Sequence, residues 1–186
     1  MDLLRYKSLR ILSIAFLGIC ISISILYYGP TLIIDQFGFD IYTSQTVLNI
    51  ADLFCYYPLM VMIDKVRRRR STSILFTVAT FMSVILSFIT KPDNCDGCSI
   101  AYIQLALIFV FRFAISMIFG LLFIYMTEIY PIRVRNISSG VFATFGGIAS
   151  TVSPIIMGEL TRANINHFIL FSILGLLAIG CCIFCP

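Results

Sequence analysis

In this chain of 186 residues the side chains able to do polar chemistry are few, and they fall in groups. Asp52 and Arg112 each stand inside a long apolar run. In DKVRRRR, Asp64 precedes Arg68 and Arg69 by about one helical turn, and in TEIYPIRVRN, Glu128 precedes Arg135 by about two. Carboxylates and guanidinium groups at such spacing do one kind of chemistry well: they pair, through bidentate hydrogen bonds between helix ends. Nothing in the pattern suggests catalysis. There is no G-x-S-x-G and no pair of intramembrane aspartates, and the one histidine, His167, falls in an expected outer loop, so an enzyme is not expected. No cofactor is implied. Nor is a metal, because Cys95 and Cys98 in KPDNCDGC lack the two further ligands that zinc requires. That pair is expected either to close a local disulfide or to stay as two thiols.

The elements that hold these groups follow from composition. The chain is 60% hydrophobic and 12% charged, has no Trp, and has a mean hydropathy of +1.01, far too apolar for a water-soluble domain of this size. A bilayer core of about 30 Å needs about 20 apolar residues per helix, and runs of that kind fall at about 11–34, 44–63, 72–90, 100–126, 137–160 and 168–185. Lipid offers no partner to bare backbone, and no run alternates like a barrel strand, so the expected fold is all-α, with six transmembrane helices in a single domain over 1–186. The N-terminus begins like a signal peptide, but its apolar run continues to Ile34 without a small-residue cleavage site, so it reads as a retained first span.

Basic residues set the expected orientation. Ten of the thirteen Lys and Arg residues fall on one side and two, Lys91 and Arg162, on the other, with Arg112 inside a span. Both termini are then cytoplasmic, and the net charge of +4 reflects topology and not nucleic-acid binding. Asn136-Ile137-Ser138 has the form of a glycosylation acceptor but lies on the cytoplasmic side of this topology.

Within the bilayer, an unpaired Asp52 or Arg112 would cost about 2.5–3.5 kcal/mol, so the two are expected to pair, either structurally or around a substrate. Tyr27, Tyr28, Gln104, Tyr125 and Phe145 offer aromatic and polar walls for a cavity, or else face lipid or core. Gly29-Pro30 predicts a kink or an unwound outer end in the first span, or else its end, because proline removes a backbone hydrogen bond. Gly140, Ala143, Gly147 and Ser150 recur at helical spacing and permit close helix contact in the fifth span. Cys20 and Cys55 read as apolar fillers, and Cys181, Cys182 and Cys185 as packing residues or palmitoylation sites.

The stretch from Glu128 through Tyr130, Pro131 and Arg135 to Asn136 resembles the E-L-Y-P-T-x-x-R-N motif of the major facilitator superfamily, in its organic cation and anion transporter branch. Asp64, Arg68 and Arg69 are similar to the D-x-x-x-R-R core of that family's loop motif, although Arg67 replaces its glycine and Ile132 replaces the threonine of the other motif. Tyr27, Tyr28 and Gly29, Gly146 and Gly147, and Ser153 and Pro154 match as well. The resemblance covers essentially the whole chain but only the C-terminal six-helix half of a family member. It implies that Asp64, Arg68, Arg69, Glu128 and Arg135 belong to a cytoplasmic gate. It further implies that spans one, two, four and five surround the substrate path, with Asp52 as the acid often found in its helix. Where the family's cation and anion carriers tend to hold a charge, span five reads FATFGGIAS and carries none.

The implied function is transport of a small organic solute by alternating access, as one half of a secondary transporter. The half would pair either with itself or with a separate six-helix half, since the halves of such transporters are parallel repeats. The competing expectation is a non-transporting membrane protein that acts as a scaffold or regulatory partner.

Overall fold

The computed structural model describes residues 7–32, 41–65, 68–89, 99–163 and 166–184. They form six helices: α1 (Lys7–Leu32), α2 (Ile41–Lys65), α3 (Arg68–Phe88), α4 (Ser99–Ile129), α5 (Ile132–Arg162) and α6 (His167–Phe184). The fold is an all-α membrane bundle with no strand among the described residues. Several helices run past the hydrophobic runs that announce them. For example, α4 continues to Ile129 and α5 starts at Ile132, because intrahelical hydrogen bonds go on wherever nothing interrupts them, in lipid or in water.

Four helices are long and apolar enough to cross a membrane on that basis alone: α1, α3, α4 and α5. In α2 the apolar character is diluted by Asn49, Asp52, Tyr56 and Tyr57, and the apolar stretch of α6, His167–Cys182, is shorter. An intramembrane acid is tolerated where a neighbouring helix satisfies it, and α4 does this for α2.

The helices pack in the order α5, α1, α6, α3, α4, α2, with α1 also touching α4 across the middle. On α1 the inward stripe is Phe16, Ile19, Ile23 and Leu26, at helical spacing. Against it lie Phe111, Ile115, Ile118 and Leu122 of α4 and Phe171 of α6. A second, smaller cluster joins Cys55 and Leu59 of α2 to Met117 and Leu121 of α4. Lipid tails are as apolar as leucine, so close packing holds such helices together more than burial does.

Gly29 shows how tight this packing is. A Cβ placed there would come within 2.6 Å of the Phe171 ring and 3.3 Å of the Met157 methyl, so glycine lets α1 press against α6 and α5. The helix does not unwind at this point. Gly29 and Pro30 are both buried, and α1 continues through them to Leu32 although Pro30 has no amide to donate.

The small-residue stripe of α5 behaves otherwise. An added Cβ at Gly140 or Gly147 meets nothing within 4 Å, so these residues do not seat a helix within this chain. α5 leans mainly on α1, with slight contact to α4 and α6. Its outer face exposes Ile137, Phe145, Ile148 and Ile155, as α2 exposes Leu53, Phe54, Tyr57 and Met60.

Candidate functional site

Two arrangements lie side by side in the bundle, an ion-pair knot and a cavity. In the knot, α2 brings Asp52 opposite Arg112 of α4. Arg112 donates from Nε to Asp52 Oδ1 at 2.9 Å and from Nη2 to Oδ2 at 2.8 Å, the bidentate geometry that favours arginine over lysine. The Tyr27 hydroxyl of α1 donates to Oδ2 at 2.9 Å, and the Ser116 hydroxyl donates to Oδ1. A carboxylate has about four acceptor sites, and all of those on Asp52 are filled from within the chain.

Arg112 is held as firmly. Its Nη1 donates to the Tyr27 carbonyl, and its guanidinium carbon lies 3.6 Å from the centre of the Tyr27 ring. Phe119 stacks on the other partner in this sandwich, Tyr27, with ring centres 5.2 Å apart and planes 24° apart. The Arg112 side chain is 4% exposed and that of Asp52 is 22% exposed, so the charges are shielded and paired. The knot fastens α1, α2 and α4 to one another.

The cavity, of about 260 Å³, lies between α1, α4 and α5. α1 contributes Phe16, Cys20, Ile23, Ser24 and Tyr28, and α4 contributes Phe119, Leu122, Phe123 and Met126. α5 contributes Phe142, Ala143, Gly146, Gly147 and Ser150, so three of the five α5 residues have little or no side chain, and their smallness makes the space. The lining carries aromatic faces and a few hydroxyls, and none of its residues is charged. Phe119 belongs to both arrangements, stacked on Tyr27 and lining the cavity.

The expected cavity residues therefore divide. Tyr28 lines the space, whereas Tyr27, Asp52 and Arg112 make the knot beside it. Gln104 is elsewhere, buried near the start of α4, where its amide donates to the Ile89 carbonyl at 2.9 Å. Phe145 is 41% exposed on the outer face of α5, and Phe142, most of a turn earlier, points into the cavity instead. Tyr125 packs in the core against Phe16.

Among the expected gate residues, Glu128 is exposed in the last turn of α4 and Arg135 is half-buried in the first turn of α5. Asp52–Arg112 and Glu159–Arg162 are ion pairs among the described residues, and none joins Glu128 to Arg135; Glu128 keeps a different interaction. Only the backbones of Asp64, Arg68 and Arg69, at the end of α2 and the start of α3, are described, and their side chains lie outside the described set. Cys95 and Cys98 lie outside the described residues altogether. No cluster of metal-ligating side chains occurs among the described residues.

Sequence reasoning passes over Ser116, Phe119 and Phe142. The signal for the first two is spacing: Arg112, Ser116, Phe119 and Phe123 recur at intervals of four and three, one face of α4. It also passes over Ser13 and Phe16, which meet Tyr130 at the end of α4.

The family model of the Major Facilitator Superfamily matches residues 2–154. "Organic cation/carnitine transporter 2" of Rattus norvegicus is 28% identical over 176 residues, which is 86% of this chain and 30% of that protein. "Solute carrier family 22 member 15" of Xenopus tropicalis is 28% identical over 178 residues, covering 95% of the chain and 32% of the relative. "Solute carrier family 22 member 6" of Rattus norvegicus is 25% identical over 156 residues, 84% of the chain and 27% of the relative. The chain thus spans about 30% of the length of the curated relatives it matches.

Proposed function

Since the chain belongs to the major facilitator superfamily, we propose that it is one half of a secondary transporter that moves a small organic solute by alternating access. It is an integral, multi-pass membrane protein. The observation that carries the proposal is the cavity of about 260 Å³, walled on one side by α5, which is held chiefly by α1. Within this reading the Asp52–Arg112 knot is a brace that keeps α1, α2 and α4 together while α5 shifts against them. A carboxylate whose acceptor sites are all occupied has nothing left to offer a solute without first losing a partner. The aromatic lining suits the organic body of a solute, and the names of the relatives, organic cation and carnitine transport among them, support that class.

Charge at one end of the bundle supplies the gate. Asp64 and Arg68 lie at the α2–α3 turn, and Glu128 and Arg135 flank the α4–α5 turn. α2 and α4 run in the same direction, with Asp52 beside Arg112 and Leu59 beside Gly120, so both turns fall at the same end. In this reading Asp64, Arg68, Arg69, Glu128 and Arg135 pair between the two turns, and not Glu128 with Arg135 within one, when the inner mouth is closed, with the two termini on that cytoplasmic side. Exposed pairs are worth about 0–1 kcal/mol each, which suits a switch between states of nearly equal energy. Gly29 and Pro30 fix the outer end of α1 as the pivot.

The partner is either a second copy or a separate six-helix half, seated against the exposed faces of α2 and α5. Uptake into proteoliposomes tests the proposal, with carnitine, tetraethylammonium and an aromatic carboxylate as probes. The chain is assayed alone and with the N-terminal half of a relative. Saturable uptake of at least one probe is expected, and Gly147→Phe, which projects a ring where an added Cβ meets nothing within 4 Å, abolishes it. A folded chain that takes up no probe in either arrangement, and stays monomeric on crosslinking in membranes, would instead support the non-transporting reading.

A further inference from the structure

The α4–α5 turn is tied into the cavity by more than chain connectivity. Tyr130, in the short break between the two helices, is 1% exposed even though it neighbours exposed Glu128 and exposed Pro131. Its ring meets Phe16 edge-on, with centres 6.4 Å apart, and lies 5.8 Å from Phe142. Phe16 and Phe142 pack at 5.0 Å and both line the cavity, and the Tyr130 ring backs this pair from behind the lining, on the side of the turn. The Tyr130 hydroxyl is 3.1 Å from the Ser13 hydroxyl of α1, more than a hundred residues away in sequence. Pro131 caps α5 directly after Tyr130, and its carbonyl accepts from the Val134 and Arg135 amides at 3.0 and 3.1 Å. A displacement of the Tyr130 ring is therefore passed on to the first turn of α5.

We propose that Tyr130 is a positioning residue that couples the cavity to the charged turn, its ring backing the Phe16–Phe142 pair of the cavity wall and its hydroxyl strapping the turn to α1 through Ser13. Buried tyrosine needs a partner for its hydroxyl, and where lipid and side chains exclude water, Ser13 supplies one. With the strap made, α5 is pinned to α1 and the cavity is closed at the turn end. When the strap is released, the rings of Tyr130, Phe16 and Phe142 part together. This inference rests on the alternating-access reading, but its test does not depend on uptake.

Cys20 lines the cavity beyond the three rings and serves as a native reporter. The full chain in sealed membrane vesicles of each orientation is treated with a membrane-impermeant cationic methanethiosulfonate, and Cys20 labelling is followed by peptide mass spectrometry. In Tyr130→Phe, which keeps the ring and loses only the hydroxyl, labelling from the turn side is expected to rise about fivefold, with no change from the opposite side. Ser13→Ala also raises labelling from the turn side, and the double variant gives no more than Tyr130→Phe alone, since the bond to Ser13 is already lost with that hydroxyl. Retention of fold is checked by thermal unfolding of each variant. Labelling that rises equally from both sides would reduce Tyr130 to a structural prop and overturn the proposal. So would rates unchanged from wild type, or single effects that multiply in the double variant. None of these outcomes bears on whether the chain transports a solute, which the uptake assay decides separately.

Discussion

The two sides of α4 are built on opposite plans. On the side facing α2 and α1, Asp52, Arg112, Tyr27 and Ser116 satisfy one another, and polar groups are spent on holding helices still. On the side facing α5, glycine, alanine and serine leave about 260 Å³ between helices. The helices themselves differ in burial: 56% of the apolar stretch of α4 is buried in the bundle, against 22% of that of α5. In lipid, where burying apolar surface drives helices together only weakly, a saturated polar contact is the stronger fastening. Position along the sequence does not separate the two plans. What separates them is whether the facing residues carry partners or are small.

Removing one member of the knot should have the largest effect. Asp52→Ala leaves the Arg112 guanidinium buried without its carboxylate and is expected to cost about 3–5 kcal/mol, read as a lower unfolding midpoint in detergent. The double variant Asp52→Leu/Arg112→Met should recover most of that loss, because no charge is stranded. A loss for Asp52→Ala no greater than that of a surface change would erase the distinction between the two sides.

Ser116→Ala removes one donor to the carboxylate and is expected to cost about 1.5–3 kcal/mol by the same measurement. Glycine substitutions sharpen the contrast next. Gly29→Ala forces a methyl towards the Phe171 ring at 2.6 Å and should cost about 1–3 kcal/mol. Gly147→Ala on the open side should stay within about 0.5 kcal/mol of wild type. Equal costs at the two glycines would mean that α5 is as tightly seated as α1.

The smallest effect is expected outside both regions. Glu159 and Arg162 pair at 2.9 Å with side chains 67% and 80% exposed, so Glu159→Gln should change stability by about 0–1 kcal/mol, and less at high salt.

Much of this architecture was legible in the residues. Long apolar runs can only be helices in lipid, and two lone charges in the bilayer had reason to find each other. The third and fourth members of the knot were harder to read. Ser116 looks like any hydroxyl able to bond its own helix backbone, and Tyr27 looks like any aromatic near a span's outer end, until the helix register sets both beside Asp52. Phe145 and Phe142 show why the cavity lining was not legible. Both are phenylalanines on α5, and only the rotation of the helix about its axis, fixed by contacts with α1, decides which faces inward. The small stripe on α5 is legible only in part for a related reason. Spacing says that a close approach is permitted there, and the packed helices add that at Gly140 and Gly147 no described helix of this chain makes it.

We propose that α5 moves against a braced α2–α4 body. Electron–electron distance measurement tests it most directly, with spin labels at Leu53 and Ile148 across α2 and α5, and at Leu53 and Ile103 across α2 and α4, all exposed positions. In proteoliposomes with the native cysteines replaced, two distance populations are expected between Leu53 and Ile148, with a ratio that shifts when carnitine or tetraethylammonium is added, and a single unchanging population between Leu53 and Ile103. One fixed distance across α2 and α5, with and without solute, would contradict it.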